Sequence, residues 1–215
     1  MIDLHTHTVF SDGVLIPSEL VRRAQHMGHS AIGLTDHVDS SNIQFVVPNI
    51  VRAADELNSV LKGIRVIPGV ELTHIPPDHI ARLAEMARSL GAQIVVVHGE
   101  TIVEPVISGT NIAALNAHID ILAHPGLISE AEVRIAKDKG ILLEITTRSG
   151  HSLTNGHVAK LSKAIGAQMV VNTDTHTPSD LRDRTRALAV VKGAGLSEED
   201  FNEMQQNAAR LCKLS

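Results

Sequence analysis

The chain has 215 residues, which is enough to bury one sizeable core and suits a single domain, expected to span residues 1–215. Its formal net charge is −5, and only 1% of its residues are aromatic. These values argue against a protein that binds long nucleic acids, because such proteins present basic faces and stack bases on aromatic rings. A small nucleotide as substrate stays open.

The cysteine count and the N-terminal sequence bear on location. Cys212 is the only cysteine, so an internal disulfide is excluded and a reducing compartment is favoured. No basic region with a long apolar stretch opens the sequence, and apolar runs such as 94–97 are too short to span a bilayer. We therefore expect a cytoplasmic protein without a membrane partner.

Seven short apolar segments predict β-strands. Most are rich in Val and Ile and are too short to form free helices. In chain order, the predicted strands are residues 2–4, 31–34, 65–70, 93–97, 120–123, 141–145 and 169–172.

Segments with helical periodicity lie between and after these strands. They are residues 18–27, 49–61, 79–90, 130–139, 156–165, 180–191 and a last helix from a capping sequence at Ser197 through Leu211. Strands that recur about once per βα unit predict an α/β protein with a distorted (β/α)7 barrel, one unit short of the usual eight. A doubly wound open sheet is the alternative, but no Gly-x-Gly-x-x-Gly follows the first strand.

The informative pattern is the residue type at which each predicted strand ends. Six of the seven strands run into histidine or an acidic residue, and in a parallel barrel these ends meet on one face. A single buried histidine is usually a hydrogen-bonded core residue, but six strands that end this way favour a metal site. The candidate ligands are His5, His7, Asp12, His37, Glu71, His98, His124, Asp174 and His176.

The mixture of imidazoles and carboxylates predicts which metals would bind. Such a set suits zinc, manganese and iron better than calcium or magnesium. Nine ligands are too many for one ion and predict two or three divalent ions. Three carboxylates and three divalent ions would give the pocket a charge of about +3, which would attract a phosphate anion.

The motifs that carry these residues resemble the PHP family, the polymerase and histidinol phosphatase superfamily. They read Asp3-Leu4-His5-Thr6-His7, Ser11-Asp12-Gly13, Thr35-Asp36-His37, Gly69-Val70-Glu71, Val97-His98-Gly99, Ala123-His124-Pro125-Gly126 and Asn172-Thr173-Asp174-Thr175-His176. The match runs in the family's order over nearly the whole chain. The resemblance implies a distorted (β/α)7 barrel that usually binds three metals.

The resemblance also implies how the ligands divide among the metals. His5, His7, Glu71 and Asp174 would hold the first metal, Glu71 would bridge to a second completed by His98 and His124, and Asp12, His37 and His176 would hold the third. Some relatives carry histidine at the Asp12 position, so the aspartate here predicts a harder third site that tolerates manganese.

The sixth predicted strand breaks the pattern, because it runs into Arg148 and then His151. A guanidinium at the metal-bearing rim could clamp a substrate phosphate, so we predict that Arg148 binds substrate and acts in catalysis. His151 is a second predicted substrate contact, with a solvated loop histidine as the alternative. Asp174 and His176 are the other predicted catalytic residues. The donor of a proton to the leaving group stays open between metal-bound water, His151 and Asp174.

The other histidines named here are interpreted as structural or surface residues without a predicted role in the site. His26 and His29 flank a helix end, His74 and His79 lie in a loop, and His118 precedes the fifth strand at the opposite end. Asp36 is expected to orient a ligand imidazole.

These observations predict a metal-dependent hydrolase that acts on a small phosphomonoester. Histidinol phosphate is the substrate that single-domain relatives suggest, although this short chain has few loops to build a selective site. One alternative is a nuclease or nucleotide phosphodiesterase, and another is a non-catalytic scaffold of the ribonuclease P type. The sequence does not indicate an oligomeric state.

Overall fold

A computed structural model describes residues 1–214 of the chain. The strands are β1 (Ile2–Asp3), β2 (Ala31–Leu34), β3 (His37–Val38), β4 (Arg65–Leu72), β5 (Ile94–His98), β6 (Ile121–Ala123), β7 (Leu142–Thr146) and β8 (Met169–Asn172). Their order in the sheet is β1-β2-β4-β5-β6-β7-β8, and each pairs with its neighbour in parallel.

The two edges of this sheet meet beyond the ends of β1 and β8. Thr6 forms a parallel bridge with Thr175, and the His7 N–H donates to the Thr175 carbonyl oxygen at 2.8 Å. The Leu4 N–H donates to Oδ1 of Asn172 at 2.8 Å. The sheet is therefore a nearly closed seven-stranded barrel, which confirms the predicted architecture and excludes the open sheet.

One strand is interrupted where the sequence predicted a simple end. After β2 the chain leaves the extended ladder and then pairs again as β3, with His37 opposite Glu71 and Val38 opposite Leu72 of β4. The interruption brings His37 next to Glu71 at the barrel rim. The prediction that this strand ends at residue 34 misses this short continuation.

Helices connect and cover the strands. They are α1 (Pro17–His26), α2 (Ile43–Val60), α3 (Pro77–Ser89), α4 (Thr110–Leu115), α5 (Glu130–Lys139), α6 (Asn155–Ile165), α7 (Arg184–Gly193) and α8 (Glu198–Leu211). Within residues 1–214, no helix combines the length and the apolar character that crossing a membrane requires.

Three helices differ from the prediction, and one of them, α7, begins at Arg184 rather than at residue 180. The predicted start of α2 at residue 49 is wrong, because the helix begins at Ile43 and contains Pro48. Val46 and Val47 on its first turns are buried, so their packing compensates for the main-chain hydrogen bond that proline cannot make. The short helix α4 was not predicted, and it lies in the connection between β5 and β6.

The core has an outer layer between strands and helices and an inner layer inside the barrel. The inner layer contains Ile2, Leu4, Ala31, Ile67, Ile94, Val96, Ile121, Ala123, Leu142, Val170 and Ala208. Ala208 belongs to α8, which closes the N-terminal end of the barrel. Gln205 accepts from the Ile2 N–H at 2.6 Å and donates to the Ile2 carbonyl oxygen at 3.1 Å. The opposite end is left for the polar side chains.

Candidate metal centre

The predicted ligands converge at the C-terminal end of the strands. A cavity of about 250 Å³ opens there, lined by Asp12, His37, Thr73, His74, His98, Glu104, His124, Arg148, His151, Asp174 and His176. His5, His7 and Glu71 lie buried beneath it. Side chains that are up to 171 residues apart in the sequence, from His5 to His176, thus meet in one place.

One group of ligand atoms comes from His7, Asp12, His37 and His176, and we call it cluster A. These atoms all lie within 4.8 Å of one another. Oδ1 of Asp12 lies 3.4 Å from Nε2 of His37 and 3.2 Å from Nε2 of His176. Cluster A contains the three residues that the family resemblance implies for the third metal, and adds His7.

A second group, which we call cluster B, comes from His98, His124 and His151, whose ligand atoms also lie within 4.8 Å of one another. The rings of His124 and His151 stack with centroids 4.2 Å apart. His98 and His124 are the imidazoles that the resemblance implies for the second metal. His151 joins them here, although the sequence predicted for it only a substrate contact.

Glu71 lies between the two clusters. Its Oε1 is 3.3 Å from Nε2 of His5 and 3.7 Å from Nε2 of His124. Its Oε2 is 3.7 Å from Nε2 of His7, and Nε2 of His7 also lies 3.2 Å from Oδ1 of Asp174. A buried carboxylate with imidazoles on both sides has the geometry of a bridging ligand, as the resemblance implies.

Two of these residues have unusual backbone conformations. His124 has φ 28° and Asp174 has φ 53°, in a region that side-chain-bearing residues rarely adopt. His124 follows directly on β6 and Asp174 lies two residues after the end of β8, and both direct a side chain into the cluster region. Such strain is concentrated at functional sites, where the surrounding structure maintains it.

The imidazoles of His5, His98 and His176 are each held by one ring nitrogen so that the other faces inward. Nδ1 of His5 lies 2.8 Å from Oε2 of Glu144. Nδ1 of His98 and Nδ1 of His176 lie 3.1 and 3.0 Å from main-chain carbonyl oxygens. An acceptor at Nδ1 fixes the tautomer that leaves a lone pair on Nε2, which is the arrangement of metal-binding histidines.

Sequence reasoning missed two carboxylates of this site. Glu144 is fully buried on β7 and accepts from Asn172 at 3.0 Å as well as contacting His5. A charged residue inside the apolar strand Leu143-Glu144-Ile145 was the signal that could have found it. Glu104 lies in the loop after β5, 3.1 Å from Nε2 of His98. Because it does not follow directly on a predicted strand, the sequence gave no signal for it.

Burial and neighbouring charges shift the pKa values of the acids. Burial raises the pKa of Asp174 to about 7, an effect that His5 opposes and Glu71 reinforces. Burial also disfavours the charged form of Glu71, but the imidazoles of His5 and His37 outweigh it and hold its pKa well below its usual range. The adjacent carboxyl groups therefore differ in their affinity for a proton.

Several buried atoms of the site have no hydrogen-bond partner, namely Nε2 of His5, both ring nitrogens of His7, Oε1 of Glu71, Nδ1 of His124 and Oε1 of Glu144. Buried polar atoms without partners are costly and rare. Two ligands of one tetrahedral zinc ion, at about 2.0–2.1 Å from it, lie about 3.3 Å apart. Four of the ligand pairs here are 3.2–3.4 Å apart, and Nδ1 of His37 lies closer, at 2.6 Å from Oε2 of Glu71. The residues present therefore fit divalent metal ions.

Arg148 lies at the rim of the cavity, where the sequence predicted it. Its Nη1 donates to Oδ2 of Asp180 at 3.1 Å and approaches the Asp174 carbonyl oxygen at 3.5 Å. Asp180 also accepts from the N–H groups of His176 and Thr177. This carboxylate fixes both the guanidinium and the segment after β8.

Other predictions are corrected. Asp36 does not orient an imidazole: its carboxylate accepts from the main chain and hydroxyl of Thr8 at 2.8 and 2.9 Å and from the hydroxyl of Ser11 at 2.7 Å. It therefore fixes the loop that carries Asp12. His74, given no site role from the sequence, lines the cavity. His118 pairs with Glu85 on the surface, away from the cavity, as expected.

Comparisons with known proteins agree with this geometry. The family model of the PHP domain matches residues 3–118. An uncharacterized protein of Methanocaldococcus jannaschii is 51% identical over 93% of this chain and 92% of its own length. A probable phosphatase of a Thermoanaerobacter species is 27% identical over 93% of this chain and 88% of its own length.

Among solved structures, a chain of an archaeal ribonuclease P with mature tRNA has a similar fold. Its TM-score is 0.75 with 15% identity, over 99% of this chain and 90% of that one. At this identity the likeness concerns the fold alone. The family match covers more than half of the chain and includes the motifs around His5, Asp12, His37, Glu71 and His98. The chain therefore belongs to the PHP domain family.

Proposed function

We propose that this protein hydrolyses a small phosphomonoester with the help of two or three divalent transition metal ions. The observation that carries the proposal is the inward-facing set of Nε2 and carboxylate oxygen atoms beneath a cavity with Arg148 at its rim. If every buried polar atom here had a hydrogen-bond partner, this region would be an ordinary polar core. Instead, buried ring nitrogens are left without partners beside a cavity that a substrate can enter.

The proposed ligands are the nine residues predicted from the strand ends. His5, His7, Glu71 and Asp174 form the central part, cluster A supplies Asp12, His37 and His176, and cluster B supplies His98 and His124. When bound, zinc, manganese or iron ions neutralise phosphate charge and make bound water acidic enough to react near neutral pH. The residues Glu144, Thr73 and Asp180 keep the surrounding side chains in place.

Arg148 is proposed to bind the substrate phosphate. Its guanidinium is partly exposed, and its pairing with Asp180 at 3.1 Å leaves further N–H donors for the oxygens of a phosphate. A planar guanidinium can donate two parallel hydrogen bonds to such a group. The charge of Arg148 would also stabilise the transferring phosphoryl group, in which negative charge is spread over the oxygens.

Asp174 and His176 are proposed to serve catalysis by holding the ions in place. Nδ1 of His176 lies 3.0 Å from the Asp174 carbonyl oxygen, so the two residues of the β8 end support each other. The leaving group would point toward the mouth of the cavity. The connections after β5 and β7, which carry Glu104 and His151, also contain exposed apolar side chains, including Val103 and Leu153.

The test is a panel of phosphomonoesters assayed with manganese, zinc or iron after removal of bound metal. We expect hydrolysis that depends on added metal, and a melting temperature that falls on chelation because the buried carboxylates lose their counter-charges. Histidinol phosphate is the first substrate to test. If it is hydrolysed no faster than a generic aryl phosphate, another small phosphate is the substrate.

The role of Arg148 is tested separately by Arg148→Ala, with Arg134→Ala on α5 as a matched control. Arg134 is an exposed arginine that pairs with Glu130. We expect Arg148→Ala to lower kcat/KM on the order of 10²-fold while metal content stays unchanged. Equal kcat/KM in Arg148→Ala and Arg134→Ala would contradict the proposed phosphate contact.

Two other functions predict different outcomes of the same experiments. A nuclease or nucleotide phosphodiesterase would degrade a short oligonucleotide from one end and leave the monoesters intact. A scaffold of the ribonuclease P type would purify without stoichiometric transition metal and hydrolyse nothing. The full set of ligand residues and the net charge of −5 favour the enzyme, because an RNA scaffold needs a basic surface.

The proposed partner is thus a small phosphorylated molecule rather than a membrane or a long nucleic acid. The proposal of a cytoplasmic location rests on the lone Cys212, which is partly buried and fits a reducing compartment. Fractionation of cells that express the tagged chain tests it.

A further inference from the structure

We propose that His151 and Glu104 bind the ion of cluster B, in addition to His98, His124 and the bridging Glu71. The inference rests on the proposed function, and assigns two ligands that lie away from the strand ends, Glu104 in a loop and His151 at the start of a short 3-10 helix. It replaces the substrate contact predicted for His151 with a bond to the metal.

The orientation of His151 is that of a ligand. Nδ1 of His151 lies 2.8 Å from the buried hydroxyl of Thr101. This contact leaves Nε2 directed toward the other imidazoles of cluster B, as the carbonyl contact of Nδ1 does for His98. His151 is itself only 7% exposed. A solvated loop histidine would have neither this burial nor a partner that fixes its ring.

Glu104 approaches two imidazoles of cluster B, each with a different carboxylate oxygen, and one of its oxygens also lies within 4.8 Å of the ligand atoms of His74 and His98. Its Oε2 lies 3.1 Å from Nε2 of His98, and its Oε1 lies 3.4 Å from Nε2 of His151. These separations are close to the distance of about 3.3 Å between two ligands of a tetrahedral zinc ion. Three imidazoles together with carboxylate oxygens suit zinc, iron or manganese.

The loop that carries Glu104 is held against the barrel by its own hydrogen bonds. Oε1 of Glu100 accepts from the N–H groups of Gly109 and Asn111 at 3.0 and 2.9 Å. The Asn111 side chain donates to the Pro125 carbonyl oxygen at 2.9 Å, directly after His124. The loop is thus tied to the turn that bears another ligand, which keeps Glu104 above cluster B.

Glu104 is also the most accessible member of the proposed set. Its side chain is 38% exposed, whereas those of His98 and His124 are 4% and 1% exposed. A second imidazole, His74, lies 3.3 Å from its Oε2 on the solvent side. The outer ligand therefore lies at the cavity mouth, where a phosphate oxygen must enter to reach the ion.

The experiment measures metal binding rather than turnover. Metal-free protein is titrated with Zn²⁺ by calorimetry and with Co²⁺ by visible absorption, for the wild type, Glu104→Gln and His151→Gln. Glu85→Gln is the matched control, because Glu85 also pairs with an imidazole, that of His118, but on the surface away from the cavity. We expect Glu104→Gln and His151→Gln each to reduce the affinity for one ion on the order of 10-fold or more. The affinity for the other ions should not change.

The Co²⁺ spectrum distinguishes direct coordination of the ion by Glu104 from an indirect effect of Glu104 on the site. If Glu104 is a ligand, Glu104→Gln changes the d–d absorption of one bound ion, and Glu85→Gln does not. Unchanged affinity and spectrum in Glu104→Gln and His151→Gln would overturn the inference while leaving the proposed function intact. A wild-type protein that binds no transition metal at all would overturn the proposed function itself.

Discussion

The two ends of the barrel are built in opposite ways. At the N-terminal end, α8 fills the opening with apolar side chains, and Gln205 and Asn207 satisfy main-chain groups of Ile2 and Met169. At the C-terminal end, buried imidazoles and carboxylates are crowded together with unpaired atoms, and His124 and Asp174 have positive φ.

This difference shows how the fold separates stability from chemistry. The N-terminal end is optimised for packing, whereas the C-terminal end places like-charged and polar groups together at a cost that bound cations would offset. In barrels of this type the loops after the strands carry the site and the opposite end carries stability. Substitutions at the two ends should therefore affect different measurements.

The largest effect is expected from Phe201→Ala on α8. Phe201 is fully buried in the outer layer of the core, between strands and helices, and Arg184 lies 4.7 Å above its ring. Loss of the ring leaves a cavity and should reduce the free energy of unfolding by about 3–5 kcal/mol. Urea denaturation measures it. Metal content and kcat of the folded fraction should match the wild type, and a loss of metal would contradict the separation of the two ends.

A substitution at the C-terminal end should lower the activity and leave the fold intact. Glu71→Gln keeps the shape of the side chain but removes the charge between His5 and His124, so metal-dependent hydrolysis should fall on the order of 10²- to 10³-fold. Steady-state kinetics with saturating metal measures this effect. Circular dichroism should show an intact fold, and activity within a few-fold of the wild type would refute the central position of Glu71.

A pH effect is expected from His29, which lies at the closed side between α1 and β2. Burial, with a smaller contribution from the nearby N-terminal ammonium, lowers the pKa of His29 from 6.5 to about 4. The unfolded chain therefore takes up a proton between pH 6.5 and 4 that the folded protein does not. Stability should be lost as the pH falls through this window, by up to about 3 kcal/mol.

This contribution is isolated by comparing the wild type with His29→Gln, because the other histidines titrate in both proteins. The free energy of unfolding is measured by urea denaturation at intervals from pH 7 to pH 4. The difference between the two proteins should change steadily across the window. A difference that does not depend on pH would mean that His29 has the same pKa in the folded and the unfolded protein.

The smallest effect is expected from Ser197→Ala at the start of α8. Ser197 and Asp200 form a reciprocal capping box, with N–H to side-chain contacts of 2.8 and 3.2 Å. Loss of the hydroxyl should reduce the free energy of unfolding by about 1 kcal/mol. Thermal denaturation measures this change, for which Ser197→Thr is the control. A decrease in metal affinity would show that the two ends are coupled.

The sequence predicted much of this organisation. The alternation of short apolar strands with amphipathic segments predicted the barrel, and the residue types at the strand ends predicted that nine side chains would meet. These inferences succeed because parallel strands in a barrel all present their C-terminal ends on one face. Position relative to a strand end was therefore sufficient to place His5, Glu71 and His124 together.

The sequence by itself thus determined the architecture and the end of the barrel that carries the candidate centre. Only the tertiary structure decided that Glu104 and His151 both lie near His98, that Glu144 supports His5, and that Asp36 fixes a loop. These contacts join loops and strand interiors whose separation depends on chain packing rather than on a repeating pattern. Local periodicity carries no information about such distances, because they are set by the closure of the barrel.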